Sequence, residues 1–301
     1  MGRVATSSTE DGTSSNSLLN LFKVISMTQI NKTFSGPLFS IVTVTYNDLR
    51  GLILTYESIE LQTYKNFEWV IVDGASNDGT VDYLKSVKGS VATLISEKDS
   101  GIYDAMNKGI LKCTGQYIVF MNAGDVFSDA FVLQKVSNLI LSNSKLYDVI
   151  FGGATLKFPN GSSLFRPARK LESYIWNGLP AIHQATYYLR EKILNILYDL
   201  KYRICGDYYI IAALYRQGVS SVYLDSSLVD FRVGDTSYRN PTTVLIEGYR
   251  IQRDILNSPF RIRMKSIIRR LVSFIGWVFL SQRFYSWFLR LKSKRILLQY
   301  L

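Results

Sequence analysis

Three near-continuous apolar runs, each ending in a polar, acid-bearing cluster, constrain this chain more than any other feature. Phe39 to Thr45 runs into Tyr46-Asn47-Asp48. Phe67 to Val72 runs into Asp73-Gly74-Ala75-Ser76-Asn77-Asp78-Gly79-Thr80. Tyr117 to Met121 runs into Asn122-Ala123-Gly124-Asp125. Runs without polar alternation are the pattern of strands covered on both faces. In an open parallel α/β sheet the carboxyl ends of neighbouring strands line one crevice, and ligands bind there. A crevice with several carboxylates suits a ligand rich in hydroxyls, or a metal carrying a phosphate, and suits a bare anion poorly.

The segments between the runs carry helical periodicity. Leu49 to Gln62, Thr80 to Val87 and Ile102 to Cys113 read as helices, and Val91 to Ser96 as a third short strand. Alternating βα units predict a mostly parallel central sheet with helices on both faces. Further on, Leu133 to Leu141 and Asp207 to Gly218 read as helices. Asp148 to Phe151, Ala185 to Leu189 and Ser221 to Asp225 read as strands. Pro159-Asn160-Gly161 reads as the turn of a hairpin, and Val229 to Pro241 as loop. The chain divides into a disordered segment 1–36, a ligand-binding half 37–126, a second half 127–255 and a tail 256–301.

Length and composition set limits. The 301 residues, 47% hydrophobic and 20% charged, are enough for a full core. The two cysteines, Cys113 and Cys205, make no disulfide framework and no metal pair, which fits a reducing compartment. Residues 1–16 are polar and aperiodic. Leu18 to Met27 is too short to span a membrane and lacks a small-residue cleavage site, so it is not read as a signal peptide, and Met27 is an alternative start.

The net charge of +11 is concentrated at one end. After Asp254 there is no acidic residue, while Arg261, Arg263, Lys265, Arg269, Arg270 and further basic residues follow. Met264, Ile267, Ile268, Leu271, Ile275 and Val278 fall on one helical face, and Arg263, Ser266, Arg270 and Ser273 on another. The pattern predicts a basic amphipathic helix lying on an anionic membrane surface, too short in its apolar core to cross. A helix packed on the domain, or one that binds a partner, is the alternative. Nucleic acid is disfavoured, because the apolar runs would serve no purpose there.

Each cluster has a functional and a structural reading. Asp73 ends a strand and can accept from a ribose hydroxyl or a base N–H, or simply tie down its turn. Asp125 can hold Mg2+ or Mn2+, hard cations that call for oxygen ligands, or close an Asx turn. Asp104, Asn107 and Lys108 are neighbours by helical spacing and can face a nucleotide or pair on the surface. His183, the only histidine, and Gln184 precede an apolar run. Asp207 opens a helix, where it can act as a cap.

These blocks, in this order, resemble the inverting family 2 glycosyltransferases of GT-A fold, especially bacterial members that build surface polysaccharides. The resemblance rests on Ser40 to Asn47, Val72 to Thr80, Gly101-Ile102-Tyr103-Asp104-Ala105-Met106-Asn107-Lys108-Gly109 and Gly115 to Asp125. It implies a nucleotide-diphosphate-sugar donor, with UDP the expected nucleotide. Thr45, Tyr46, Asn47, Asp73 and Asn122 would hold the nucleoside, and Asp104, Asn107 and Lys108 would lie in a segment closing over it. His183 would contact diphosphate, metal or acceptor. Asp125 would hold a divalent cation. Cys205-Gly206-Asp207-Tyr208-Tyr209 resembles the motif that supplies the catalytic base, with Gly206 where Glu is common. The Asp-x-Asp-type motif is eroded here, with Asn122 and Gly124 at its acidic positions.

The implied reaction is a single displacement. Asp207 deprotonates an acceptor hydroxyl, which attacks the anomeric carbon opposite the diphosphate. The acceptor expected beside a basic tail is a lipid-linked saccharide at the cytoplasmic face of the cell membrane. Sugar nucleotidyltransferases and redox Rossmann enzymes need a Gly-rich loop after the first strand, and Thr45-Tyr46-Asn47-Asp48-Leu49 has none. The rival of another class is a nucleotide-sugar-binding scaffold in a membrane polysaccharide assembly.

Overall fold

The computed structural model describes residues 38–143, 145–158, 160–233 and 240–279, except the side chains of residues 273 and 275–279. The expectations for residues 1–36 and for the tail beyond Phe279 lie outside the described residues. The first half alternates as its periodicity predicts: β1 (Phe39–Thr45), α1 (Leu49–Glu60), β2 (Phe67–Asp73), α2 (Thr80–Ser86), β3 (Thr93–Ser96), α3 (Ile102–Lys112) and β4 (Tyr117–Phe120). The second half holds β5 (Val126–Phe127), α4 (Val132–Leu141), β6 (Val149–Lys157), β7 (Ser163–Arg166), β8 (Thr186–Leu189), α5 (Gly206–Arg216), β9 (Ser221–Arg232), α6 (Pro241–Arg250) and α7 (Phe260–Phe279).

The strands join in one sheet of order β3-β2-β1-β4-β8-β6-β9-β5, with β7 paired to β6. The first four are parallel, and β8 enters antiparallel between β4 and β6. Period-two alternation splits each central strand between two cores. Val42, Val44, Val70, Val72, Ile118 and Phe120 face one core with α3 and α5. Phe39, Ile41, Trp69, Ile71, Tyr117 and Val119 face the other with α1 and α4. The expected two-sided coverage is therefore present, and both cores draw on both halves of the chain.

Register sets the position of the crevice. Thr45 pairs with Asp73 and Asp73 with Ser96, so the carboxyl ends of β1, β2 and β3 are level. The turns that follow are cross-tied. Asn47, at φ 49°, accepts from the Asn77 N–H at 2.9 Å, and its own N–H donates to Ser76 Oγ at 2.8 Å. Asp78 accepts from the Leu49 N–H at 3.0 Å, and Asp48 caps α1 through the Gly51 N–H at 2.9 Å.

Two expectations in the second half are corrected. The strand expected to end at Phe151 continues through Gly152 and Gly153 to Lys157, and residues 229–232, expected as loop, belong to β9. The pairing of β6 with β9 slips from Gly152↔Leu224 to Gly153↔Ser227, which leaves Asp225 and Ser226 as a bulge. Those two polar residues interrupt the apolar pattern and imitate a strand end. The glycines open room at the slip, since a Cβ on Gly152 would run into Leu228 and one on Gly153 into Phe165.

The tail helix α7 packs in an unexpected sense. Ser266 is buried and takes a hydrogen bond from Gln252 Nε2 at 2.9 Å, and the same amide donates to the Tyr208 hydroxyl at 3.3 Å. Arg270 donates to the Val244 carbonyl at 2.9 Å. The polar face thus meets the domain, while Ile268, Leu271 and Val272 are exposed.

At the opposite rim of the sheet, β1, β2 and β4 are joined through Glu68. Its Oε1 accepts from Ser40 Oγ at 2.5 Å and from the Gly115 N–H at 2.9 Å, and its Oε2 from Thr114 Oγ1 at 2.8 Å. Gly115 is fitted so closely that a Cβ would lie 2.6 Å from the Ser40 nitrogen and 2.7 Å from the Phe39 carbonyl carbon. Backbone cannot step aside as a side chain can. Gly115→Ala should cost about 1–3 kcal/mol of stability, read as a fall in the midpoint of chemical denaturation.

Candidate active site

A cavity of about 740 Å3 opens on the carboxyl ends of β1 and β4, within the size range of ligand sites. Thr45, Tyr46, Asn122, Asp125, His183 and Asp207, all expected site residues, line it. The cavity joins the two halves: the first supplies its floor, and the segments Leu179 to Gln184 and Arg203 to Asp207 supply its far wall.

Asp207 is the second residue of α5. The side chain does not cap the helix, whose N-terminus at Cys205 has no side-chain cap. Instead, Asp207 Oδ2 lies 3.1 Å from His183 Nδ1, and Oδ1 lies 3.4 Å from the Tyr198 hydroxyl. Tyr198 stacks on Tyr103 at 4.8 Å between ring centroids, and Tyr103 donates to the Ile204 carbonyl at 2.7 Å. Gly206 has no room for a side chain, because a Cβ would lie 2.6 Å from the Tyr103 ring. That contact explains the glycine where a glutamate was expected from the resemblance.

The loop before α5 is held from behind. Glu247, on α6 and buried, accepts from the backbone N–H groups of Arg203, Ile204 and Cys205 at 2.7, 3.0 and 2.8 Å. Three charge-assisted bonds to one carboxylate fix this turn, and with it the direction of Asp207.

His183 links Asp207 to the end of β4. Its Nε2 lies 3.2 Å from Asn122 Nδ2. With Nδ1–H donated to Asp207, the neutral ring accepts from Asn122. A protonated ring would donate there, and the Asn122 amide would have to turn its oxygen inward. Burial disfavours the imidazolium, yet the adjacent Asp207 outweighs it by charge and hydrogen bond, with help from the Asp125 charge, and the His183 pKa lies above its ordinary value.

Asp125 Oδ2 accepts from the Asn122 N–H and from Gln184 Nε2, each at 3.0 Å. Among the described residues, three buried polar atoms around the cavity, Thr45 Oγ1, Asn122 Oδ1 and Gln184 Oε1, find no hydrogen-bond partner. Unmatched buried acceptors call for an explanation, and a ligand or ion is one. Among the described residues no group of three or more His, Cys, Asp or Glu side chains is arranged to hold a metal alone. A cation bridging a diphosphate needs only one or two carboxylates beside the phosphate oxygens. Asp125 with the neighbouring Gln184 Oε1 meets that requirement.

Five expected residues lie off the cavity lining. Asp73 is buried and accepts from the Ser76 N–H at 3.1 Å and Ser96 Oγ at 2.6 Å. Asn47 joins two turns, as described above. Asp104 accepts from the Ser100 N–H at 2.9 Å. Asn107 is engaged at both ends by the Tyr198 backbone, at 2.9 and 2.7 Å. Lys108 pairs with Glu97 at 2.7 Å. In their place the segment presents Asp99, Gly101, Ile102, Tyr103 and Met106. The helical spacing that singled out Asp104, Asn107 and Lys108 describes one face of α3, but the cavity meets the helix at its N-terminal turn. The Asp99-Ser100-Gly101 turn, with Gly101 at φ 120° and Asp99 accepting its N–H at 2.9 Å, is the signal that marks this approach. Gln184, Arg203 and Phe231 also line the cavity. Gln184 was visible beside His183, whereas Arg203 and Phe231 carry no local motif.

A second cavity, of about 200 Å3, adjoins the first and shares Leu179, Ile204 and Asp207 with it. Asn177, Gly178, Cys205, Tyr208, Val244 and Arg270 complete its lining.

The His183–Asp207 pair makes stability depend on pH. A histidine pKa raised on folding adds stability that is complete below the ordinary value of about 6.5 and is lost as pH rises through the folded value. The stability gap between the wild-type protein and His183→Gln, from denaturant unfolding, should therefore be wider at pH 6 than at pH 9. A gap that is equal or grows with pH would contradict the charged pair.

The family description "Glycosyl transferase family 2" matches residues 40–202. An uncharacterized glycosyltransferase of Mycobacterium tuberculosis is 29% identical over 216 residues, covering 70% of this chain and 81% of that protein. A PGL/p-HBAD biosynthesis glycosyltransferase of Mycobacterium bovis is 32% identical over 180 residues, covering 58% of this chain and 68% of that protein. Among solved structures, residues 1–349 of TarS from S. aureus, in complex with UDP-GlcNAc, superpose with a TM-score of 0.60 at 16% identity, covering 81% of this chain and 76% of that one. A mannosyltransferase from Pyrobaculum calidifontis, in complex with GDP-Man and Mn2+, gives a TM-score of 0.57 at 13% identity, covering 89% and 79%. With the family match spanning more than half of its length, the chain belongs to the family 2 glycosyltransferases and has their GT-A fold.

Proposed function

We propose that the protein transfers a sugar, with inversion, from a nucleotide-diphosphate donor, UDP-linked, to a hydroxyl of a lipid-linked saccharide, and that Asp207 is the base. The observation that carries this reading is Asp207 itself: a carboxylate on the wall of the large cavity, oriented by His183 and Tyr198 and backed by the Glu247-pinned turn. The TarS structure with UDP-GlcNAc supports a UDP-sugar, and the PGL/p-HBAD biosynthesis relative supports a biosynthetic role.

The step balances without a covalent enzyme intermediate. The acceptor O–H proton passes to Asp207, and the acceptor oxygen forms a bond to the anomeric carbon. The bond from that carbon to the diphosphate oxygen breaks, and its electron pair leaves with the nucleotide. Thr45 Oγ1, Tyr46 and Asn122 suit the nucleoside and ribose. The exposed guanidinium of Arg203 is a cation on the cavity wall that suits the departing diphosphate. A divalent cation, Mn2+ or Mg2+, held by Asp125 and Gln184 Oε1, would neutralise further diphosphate charge when bound.

Asp207→Asn keeps the shape of the side chain and removes the base. Transfer should fall by about 10²–10⁴-fold, while UDP affinity by calorimetry stays within a few-fold of wild type. Full transfer activity in a folded variant would remove Asp207 from the reaction. A wild-type protein that binds UDP-sugars and neither transfers nor hydrolyses them would favour the scaffold reading.

No helix among the described residues is long and apolar enough to cross a membrane. The outward apolar face of α7, with Arg261 and Lys265 exposed beside Ile268, Leu271 and Val272, supports peripheral attachment to an anionic membrane, at the cytoplasmic side in this reading. Replacing Ile268 and Leu271 together by Glu should reduce sedimentation with phosphatidylglycerol vesicles at least about tenfold and leave UDP binding intact. Unchanged sedimentation would exclude this face as the anchor.

A further inference from the structure

We infer that the smaller cavity receives the acceptor, and that Arg270 of the tail helix holds a phosphate of that acceptor next to Asp207. The inference rests on the glycosyl-transfer reading above and adds the chemical class of the second substrate. A base that serves two substrates must face both, and Asp207 is a shared wall of the two cavities. The larger cavity has the size and polar floor for a nucleotide sugar. The smaller has room for little more than one sugar-sized group and lies on the side of Asp207 toward α6 and α7.

The lining states what that group carries. Leu179, Ile204, Val244 and the Tyr208 ring make an apolar slot. Among the described residues of its lining, Arg270 is the one cationic side chain and Asp207 the one carboxylate. The guanidinium sits 5.5 Å from the Tyr208 ring centroid and spends one N–H on the Val244 carbonyl. Among the described residues it forms no ion pair. Gly248 leaves the space in which it lies, since a Cβ there would collide with Nη1. A half-buried arginine held by a ring and one carbonyl, with no carboxylate partner, is a seat for an anion, and a planar fork of donors matches phosphate. The anchor of that seat is the helix whose other face is apolar and exposed. A phosphate-bearing acceptor at a membrane surface would therefore meet α7 on both sides: lipid outside, phosphate inside.

The test uses the full chain saturated with UDP, so that the donor site is filled, and glucose 1-phosphate as the smallest probe with both a pyranose and a phosphate. Calorimetry should show the wild-type protein binding glucose 1-phosphate, with methyl glucoside binding at least about tenfold more weakly. Arg270→Gln should lose about tenfold or more in affinity for glucose 1-phosphate, with UDP affinity and sedimentation on phosphatidylglycerol vesicles unchanged. Because Arg270 also packs on Tyr208, Val244→Glu provides a second route: it leaves the arginine in place, adds a carboxylate to the cavity and should produce the same loss. Equal binding of glucose 1-phosphate by wild type and both variants would overturn the inference. So would a loss of vesicle binding in Arg270→Gln as large as that of the outward-face variant, which would assign the arginine to the lipid headgroup instead. Failure of the wild-type protein to bind UDP at all would instead overturn the glycosyl-transfer reading on which this rests.

Discussion

The site depends on one buried carboxylate that takes no part in the proposed chemistry. Glu247 collects three consecutive backbone N–H groups, of Arg203, Ile204 and Cys205, at the turn that starts α5. Those groups have no helical partner, and Glu247 supplies the acceptor for each of these partly buried donors. With Glu247 in place, the turn is rigid, Tyr103 can press against Gly206, and Asp207 has one direction in which to point. The same carboxylate joins α6 to the loop, and through Val244 and Gly248 α6 also receives Arg270 of α7. The proposed base, the wall of the second cavity and the docking of the tail helix thus share a single fastening.

Around that fastening, the sheet supplies a fixed reference. Parallel register levels the carboxyl ends of β1, β2 and β3, and the Asn47–Asn77 and Asp78–Leu49 bonds lock the turns that follow. Several acids of the opening sequence pattern are used for this purpose. Asp73, Asp48 and Asp78 all accept from backbone N–H groups, the role that short acidic side chains play at turns and helix starts. Asp48 also lines the cavity, together with Asp99, Asp125 and Asp207.

Much of this was legible in the sequence. Unbroken apolar runs with helical segments between them give β1 to β4 and their helices within a few residues, and the strand-end clusters mark the crevice. Thr45, Tyr46, Asn122, Asp125, His183 and Asp207 meet in one cavity as their clusters suggest. What escaped is tertiary. Whether Asp73 faces a ligand or its own turn depends on Ser96, which a neighbouring strand delivers. Asn107 is engaged by the Tyr198 backbone, far away in sequence, while Asp104 and Lys108 of the same helical face bond within the first half. The length of β9 was hidden by a bulge, and the roles of Glu247 and Arg270 by the absence of any local motif. The amphipathic pattern of α7 was plain, but not which face would pack. Hydrogen bonds from Gln252 and to Val244 decide it in favour of the polar one.

In the proposed reaction one carboxylate, Asp207, activates the acceptor for direct attack on a nucleotide-bound sugar. Its stereochemical consequence is independent of any variant. The most direct measurement is proton NMR of the anomeric centre in the first product formed from a UDP-α-sugar by the wild-type protein. Direct attack predicts a β-linked product from the earliest time point. An α-linked product would contradict a single displacement and, with it, the role given to Asp207.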